Sequence, residues 1–289
     1  MMNDDVVYVN GSLVPLGEAK ISAMDRGFLF GDGFFETTRV VGGTPFRMRD
    51  HLDRLSKSCL STGWEWRPDA AHLCEATNSV IEHNGVGEGY LRITVSRGVH
   101  RGGLTELPAR EPTILIDAHT MELKPLDDAA PLRIQPAPWR RNESCPLTTM
   151  KSISYQESLL ALARAREEGA DEVYFVNSEG ALAEGAISNL FFITDGTVRT
   201  PSNDQGLLPG IGRDVVLQIC REENIPCEEG SYAAASLFSA DEVFCTNSLR
   251  GVMPVRKIVG KREKSFPERT LTVRLQRLFA RRVLEECDG

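Results

Sequence analysis

Short apolar runs, VVYVN and SLVPL, meet at Asn10-Gly11 and predict a β-hairpin at the start of the chain. FFETTRVVGGTPF predicts a second hairpin, bent at Gly42-Gly43. In MRDHLDRLSKSCLSTG the spacing changes to that of a helix. His51, Leu52, Leu55 and Cys59 share one face, and Arg54, three residues beyond His51, points to the same region. A second helix is predicted from about Asp69 to Glu82, followed by strands at GYLRITVSRG and EPTILIDAHT. From His119 to Ala130 the periodicity lapses around Pro125 and Asp127-Asp128. The expected organisation is therefore a smaller N-terminal α/β domain over 1–118, a linker over 119–130 and a larger domain over 131–289.

The second domain opens with a strand, LRIQPAP, and a polar loop, WRRNESCPLTTM, that leads to Lys151. Ser154 and Glu157 fit a capping box, in which each side chain satisfies an orphan amide at a helix entrance. Tyr155, Leu159, Leu160, Leu162 and Ala163 then recur at helical spacing, and Gly169 is a natural stop. DEVYFVN predicts a strand, Ser178-Glu179-Gly180 a turn, Ala181 to Ala183 a second strand ended by Glu184-Gly185, and SNLFFIT a third closed by Asp195-Gly196. In TPSNDQGLLPGIGRDVV a Pro-Gly turn directly precedes a helix, so the amides of Ile211 and Gly212 are candidates for an anion site. DEVFCTNS predicts a strand, LRGVMPV a turn, and FPERTLTVRLQRLFARRVLEEC a closing amphipathic helix. The mixed elements indicate an α/β (α+β) fold.

With 41% hydrophobic and 26% charged residues over 289 positions, the composition is that of an ordinary globular chain with room for two cores. The net charge of -8, with no basic block, disfavours a nucleic-acid partner. Seven scattered cysteines without a C-x-x-C pair argue against a disulfide framework and a metal site. MMNDDVVYVNG has no basic region followed by an apolar core, and no apolar run reaches bilayer length. A soluble, cytoplasmic protein without a membrane partner is expected.

Several features carry candidate chemistry. Gly27, Gly31 and Gly33 interleave with Phe28, Phe30, Phe34 and Phe35, as in a tight aromatic-packed turn between strands or a close backbone approach. The loop after Ser96 carries Arg97, His100 and Arg101; it is an ordinary surface loop or a means of capturing a carboxylate. Lys151 and Glu184 stand at edges of regular elements, where each is compatible with a plain surface role. Together with the two possible anion cups they permit pyridoxal phosphate chemistry. That cofactor needs an amine for an imine, a cup for its phosphate and an acidic partner for its ring nitrogen.

The blocks DRGFLFGDGFFETTRV, HLDRL, Lys151, EGAISNLFFI, LPGIGRD and DEVFCTNSLRGVMPV occur in an order that resembles, over nearly the whole chain, the class IV (fold type IV) pyridoxal-phosphate enzymes. That family holds branched-chain and D-amino-acid aminotransferases and 4-amino-4-deoxychorismate lyase. The resemblance implies two α/β domains with pyridoxal 5'-phosphate in the cleft between them, and a homodimer acting on a small amino substrate. It implies Lys151 as the catalytic imine lysine and Glu184 as partner of the ring nitrogen. Arg54, the amides of Ile211 and Gly212, and Asn247 would hold the phosphate. Arg101, Arg97 and Tyr155 would face the substrate. TNSLRGVMPV, FETTRV and SRGVHRGG are nearer to the lyase pattern, and Gly103 stands where D-amino-acid enzymes usually carry a histidine.

Overall fold

The computed structural model describes residues 5–102, 104–106 and 111–287. The chain divides into two units. One holds residues up to Leu123, Lys151–Ser154 and the chain from Val283; the other holds Lys124–Met150 and Tyr155–Arg282. The second unit is thus not one continuous segment, and the cut at Leu123 falls inside the expected linker.

The first unit is built on an antiparallel six-stranded sheet. Strands β1 (Val6–Val9) and β2 (Ser12–Pro15) form the expected hairpin, with Asn10 at φ 47° and Gly11 at φ 102°. Helix α1 (Arg26–Phe30) follows, then β3 (Gly33–Val41), β4 (Thr44–Pro45), helices α2 (Met48–Ser61) and α3 (Ala70–His83), and strands β5 (Gly89–Ser96) and β6 (Thr113–Thr120). The strand order is β2-β1-β6-β5-β3-β4. Helix α2 buries the anticipated face: Leu52 and Leu55 are each 1% exposed, and removing such a side chain from water contributes about 1.5–3 kcal/mol. Asp69 caps α3 by accepting from the amides of Ala71 and His72.

The glycine- and phenylalanine-rich stretch makes the close backbone approach, since a Cβ on Gly33 would meet the Val95 carbonyl at 2.5 Å. It forms α1, entered through Asp25, whose carboxylate accepts from the Gly27 amide at 2.7 Å, and closed by Gly31. Phe34 and Phe35 are buried, but Phe28 is 77% and Phe30 51% exposed, so this is not an aromatic-packed turn.

The second unit has an eight-stranded mixed sheet. Its elements are β7 (Leu132–Pro136), α4 (Gln156–Glu167), β8 (Glu172–Tyr174), β9 (Asn189–Thr194), β10 (Thr197–Pro201), α5 (Ile211–Glu222) and β11 (Cys227–Gly230). Then come α6 (Ser236–Ser239), β12 (Glu242–Asn247), β13 (Gly251–Ile258), β14 (Lys264–Ser265) and α7 (Thr270–Cys287). The order is β11-β10-β9-β12-β13-β7-β8, with β14 paired to β13. Phe191 and Phe244 face each other across β9 and β12 and stack at 4.8 Å, a pairing worth about 0.5–1.5 kcal/mol beyond burial.

Three expectations here are corrected. Helix α4 starts after Tyr155 with no side-chain cap, because the Ser154 hydroxyl donates instead to the Gly31 carbonyl at 3.1 Å. Its buried residues are Ser158, Ala161, Leu162 and Ala165, while Leu159 and Leu160 are exposed. LRGVMPV is not a turn beyond its first residues, since β13 begins at Gly251.

Candidate active site

In the first unit, Lys151 lies on an added rung of the sheet rather than simply before a helix. The Phe35 amide donates to the Lys151 carbonyl at 2.9 Å and the Ile153 amide to the Gly33 carbonyl at 3.0 Å, around a bridge between Phe34 and Ser152. This backbone pairing fixes where the side chain leaves the chain. The Lys151 Nζ sits 4.4 Å from the centre of the Phe35 ring.

The neighbouring charge cluster centres on Glu36, an acid inside an otherwise apolar strand. Its Oε1 accepts from Arg54 Nε at 2.9 Å, and its Oε2 from Arg54 Nη2 at 2.6 Å and His51 Nδ1 at 2.7 Å. Burial alone would raise the Glu36 carboxyl, but the Arg54 charge and the bonds from Arg54 and His51 outweigh it and hold the group at about 2. Burial pushes His51 down, the Glu36 carboxylate opposes this, and the charges of Arg54 and Lys151 push it down further. His51 is therefore neutral at pH 7, with its proton on Nδ1 toward Glu36. The Glu36 carboxylate fixes the orientation of the planar Arg54 guanidinium through its Nε and Nη2.

Replacing Glu36 by Gln removes one charge of a buried pair and is expected to lower stability by about 3–5 kcal/mol at pH 7. Because the folded-state value of about 2 lies below the ordinary 4.5, the contribution is complete above about pH 4.5 and is lost as pH falls toward 2. Urea unfolding of both proteins at pH 7 and pH 3 checks this: the gap narrows at the lower pH. An equal gap at both contradicts it.

The loop after Ser96 departs from the expected picture. Arg97 is buried, its Nε donates to both Asp32 oxygens at 3.1 and 3.0 Å and its Nη2 to the Thr62 carbonyl at 3.2 Å, and it lies over the Trp64 ring. It ties the loop root down instead of presenting a loop cation. Arg101 is exposed, and His100 meets Glu106 at 3.0 Å. Gly103 lies outside the described residues.

In the second unit, Glu184 is buried at the entrance of the short turn that leads into β9. Its carboxylate pairs with Arg141 and accepts from the Leu208 amide at 3.0 Å and, more weakly, from Asn189 Nδ2 at 3.4 Å. Arg141 also donates to Ser158 Oγ at 3.0 Å and lies over the Phe175 ring at 4.1 Å. Arg141 and Glu36 were both missed from the sequence. The visible signal for Glu36 was an acid within FFETTRVV; for Arg141 no local pattern exists, since its partner is 43 residues away.

Helix α5 begins at Gly210 with no side-chain cap, which leaves the amides of Ile211 and Gly212 at the positive end of a 12-residue helix. Gly212 lies beside the Asn247 backbone: a Cβ built on it would meet the Asn247 carbonyl at 3.4 Å, an ordinary van der Waals contact. The Asn247 side chain is engaged in its own turn: Oδ1 accepts from the amides of Leu249 and Arg250 at 3.1 and 2.9 Å. Tyr155 stands at the entrance of α4, its hydroxyl 3.4 Å from the Ala186 carbonyl.

The family model described as amino-transferase class IV matches residues 33–258, which span Arg54, Lys151, Glu184, Gly212 and Asn247. The chain belongs to the class IV aminotransferase family. Members of this family are pyridoxal-phosphate-dependent enzymes. Class IV relatives include the putative branched-chain-amino-acid aminotransferase of Methanocaldococcus jannaschii, 32% identical over 88% of this chain and 88% of that protein. The aminodeoxychorismate lyase of Bacillus subtilis is 30% identical over 88% of this chain and 86% of its own length. The crystal structure of Escherichia coli branched-chain amino acid aminotransferase superposes with a TM-score of 0.90 at 27% identity, covering 98% of this chain and 96% of that one.

The residues fit the class IV cofactor. Each unit by itself carries groups of the kinds this cofactor needs: the second an uncapped helix N-terminus of the sort that suits a phosphate, the first an arginine held by a buried acid and a half-buried lysine amine. Glu184, an acid held by Arg141, suits a protonated ring nitrogen.

Proposed function

We propose that the protein is a pyridoxal-phosphate-dependent lyase that converts 4-amino-4-deoxychorismate to 4-aminobenzoate and pyruvate, a step of folate precursor synthesis. When bound, pyridoxal phosphate supplies an aldehyde for reversible bonding to amines and a ring that accepts the electron pair left at Cα. Arg54 and the amides of Ile211 and Gly212 hold its phosphate, with Asn247 shaping the adjoining turn. Lys151 Nζ would take the Cα proton of the amino substrate as general base. Glu184 keeps a proton on the ring nitrogen. Loss of the Cα proton would let the bond between the ring carbon and the enolpyruvyl oxygen break, and the released enolpyruvate, on taking up a proton, would become pyruvate. Arg101 and Tyr155 face the substrate; Arg97 acts through Asp32 on the loop that carries Arg101.

The observation that supports the lyase over its relatives is the Asn247 turn in TNSLRGVMPV, where the asparagine side chain accepts from two successive amides. Aminotransferases of the family usually place Gly-Thr or Ser-Thr there. The second reading is an aminotransferase of branched-chain or D-amino acids with a 2-oxo acid acceptor, and it is favoured by the 32% identity to the Methanocaldococcus jannaschii relative. Incubation with an amino acid and no oxo acid separates them. The lyase keeps its cofactor band apart from slow drift and releases pyruvate from aminodeoxychorismate at many turnovers. Stoichiometric conversion to pyridoxamine phosphate, with fast turnover when oxo acid is added, would establish the aminotransferase instead.

A homodimer in the cytoplasm is part of the same reading. Leu16, Ile21, Met24, Phe28, Leu29 and Phe30 are all more than 40% exposed within one short segment, an apolar surface that a second copy would cover. Light scattering on the purified protein should give twice the mass of one chain; the mass of a single chain would refute the dimer. No helix among the described residues is long and apolar enough to cross a membrane.

A further inference from the structure

The turn that follows Glu184 is built around a second buried acid. Glu172, at the start of β8, is 3% exposed. Its Oε1 accepts from the amides of Val173 and Ala186, both at 2.9 Å, and its Oε2 from the Ile187 amide at 3.3 Å and the Ser188 hydroxyl at 2.8 Å. Among the described residues it has no cationic partner. Burial pushes its carboxyl above the usual range although all four donors oppose the shift. A buried carboxylate without a counter-charge costs free energy. A chain seeking stability alone would place an apolar residue at the root of an apolar strand.

Three of the four donors belong to residues 186–188, a turn short enough to be closed by the Gly185 amide donating to the Ser188 carbonyl at 2.7 Å and by a bridge between Glu184 and Asn189. The packing is tight: a Cβ on Gly185 would meet Ser188 Oγ at 2.3 Å and the Glu172 carboxyl carbon at 3.1 Å. While the amides and the hydroxyl turn inward to Glu172, two carbonyls of the same turn accept from residues of the candidate site. Tyr155 donates to Ala186 and Asn247 Nδ2 to Ile187, each at 3.4 Å. Glu184 and Asn189 are the two ends of the turn. One carboxylate therefore sets the register of a segment on which Glu184, Tyr155 and Asn247 all lean.

We propose that Glu172 is a positioning residue: its carboxylate locks the turn 185–188 from inside, and through that turn it aligns Glu184 with the cofactor ring and Tyr155 and Asn247 beside it. This rests on the pyridoxal phosphate reading above. Chemically, the lock needs an acceptor at both oxygens. In a Glu172→Gln protein the new NH2 group faces either two backbone amides or one amide and a hydroxyl. The hydroxyl can rotate to accept; an amide cannot, so at least one turn N–H loses its partner. The Glu184 carboxylate then shifts relative to the ring nitrogen, which alters the protonation of the cofactor as well as its hold.

The test compares wild type, E172Q, S188A, E184Q and the surface control E263Q, all titrated with pyridoxal phosphate. For each, the cofactor dissociation constant, the pH midpoint of its absorbance band, and kcat and KM with the amino substrate are measured. E172Q is expected to bind the cofactor about tenfold more weakly. Its band midpoint should move in the same direction as that of E184Q, with kcat falling more than KM changes. S188A, which removes one donor and little else, should move the midpoint the same way by less, and E263Q should leave it unmoved. A folded E172Q with wild-type affinity and midpoint overturns the assignment. If E172Q does not fold, S188A decides: lowered thermal stability with an unmoved midpoint overturns it, and a moved midpoint supports it. A wild type that binds no pyridoxal phosphate overturns the proposed function first, and this assignment with it.

Discussion

A Lys151→Ala protein should fold, lose its cofactor absorbance band and retain less than about one thousandth of wild-type turnover. Folding is expected because the local structure rests on the backbone: the Lys151 carbonyl accepts from Phe35 and the Ile153 amide donates to Gly33 whatever side chain stands at 151. The side chain itself is half-buried, its Nζ 4.4 Å from the centre of the Phe35 ring. Activity falls for two separate reasons. The amine that bonds the cofactor is gone, and so is the base that takes the Cα proton. Added methylamine would restore part of the proton transfer without restoring the bond to the protein. Circular dichroism, the absorbance band and single-turnover proton exchange together check the prediction. A wild-type band in the variant would remove Lys151 from the chemistry.

The second large effect is expected at Glu184. Glu184→Gln keeps the shape but replaces the charge that holds a proton on the ring nitrogen, so turnover should drop by about 10²-fold or more. Stability should also fall, by up to about 3–5 kcal/mol, because the buried Arg141 guanidinium loses its nearer counter-charge and keeps only Glu157, half-exposed and 3.7 Å away. The two effects separate when turnover is measured on the folded fraction. Arg141→Met tests the pair from the other side: it should reproduce the destabilisation with a smaller loss in turnover, since the carboxylate remains bonded to the Leu208 amide. Equal turnover in E184Q and wild type would contradict the assigned role.

Much of the fold was legible because its signals are local. Asn10-Gly11 adopts positive φ at both residues, as a tight hairpin requires, and α2 presents His51, Leu52, Leu55 and Cys59 inward at helical spacing. The candidate site was legible where backbone punctuation carries it: the Pro-Gly turn does open directly into α5, with Gly210 ahead of Ile211. What failed were the places where a distant partner overrides a local motif. Ser154 matches a capping box, but its hydroxyl is taken by the Gly31 carbonyl, 123 residues away. Arg97 reads as a loop cation until Asp32 and Trp64 enclose it. Leu159 and Leu160 read as core, yet α4 buries small residues, Ala161 and Ala165, on the side where it lies against β8. The pairings of Glu36 with Arg54 and Arg141 with Glu184 join separate elements and leave no spacing to detect.

The claim on which the account depends is a reversible bond between the Lys151 amine and the cofactor aldehyde. Hydride reduction of the purified holoenzyme makes that bond permanent, and peptide mapping by mass spectrometry then locates it. The expected result is a single phosphopyridoxyl group on the peptide containing Lys151, absent from the Lys151→Ala protein. A label on any other lysine, or none on a protein saturated with pyridoxal phosphate, would contradict it.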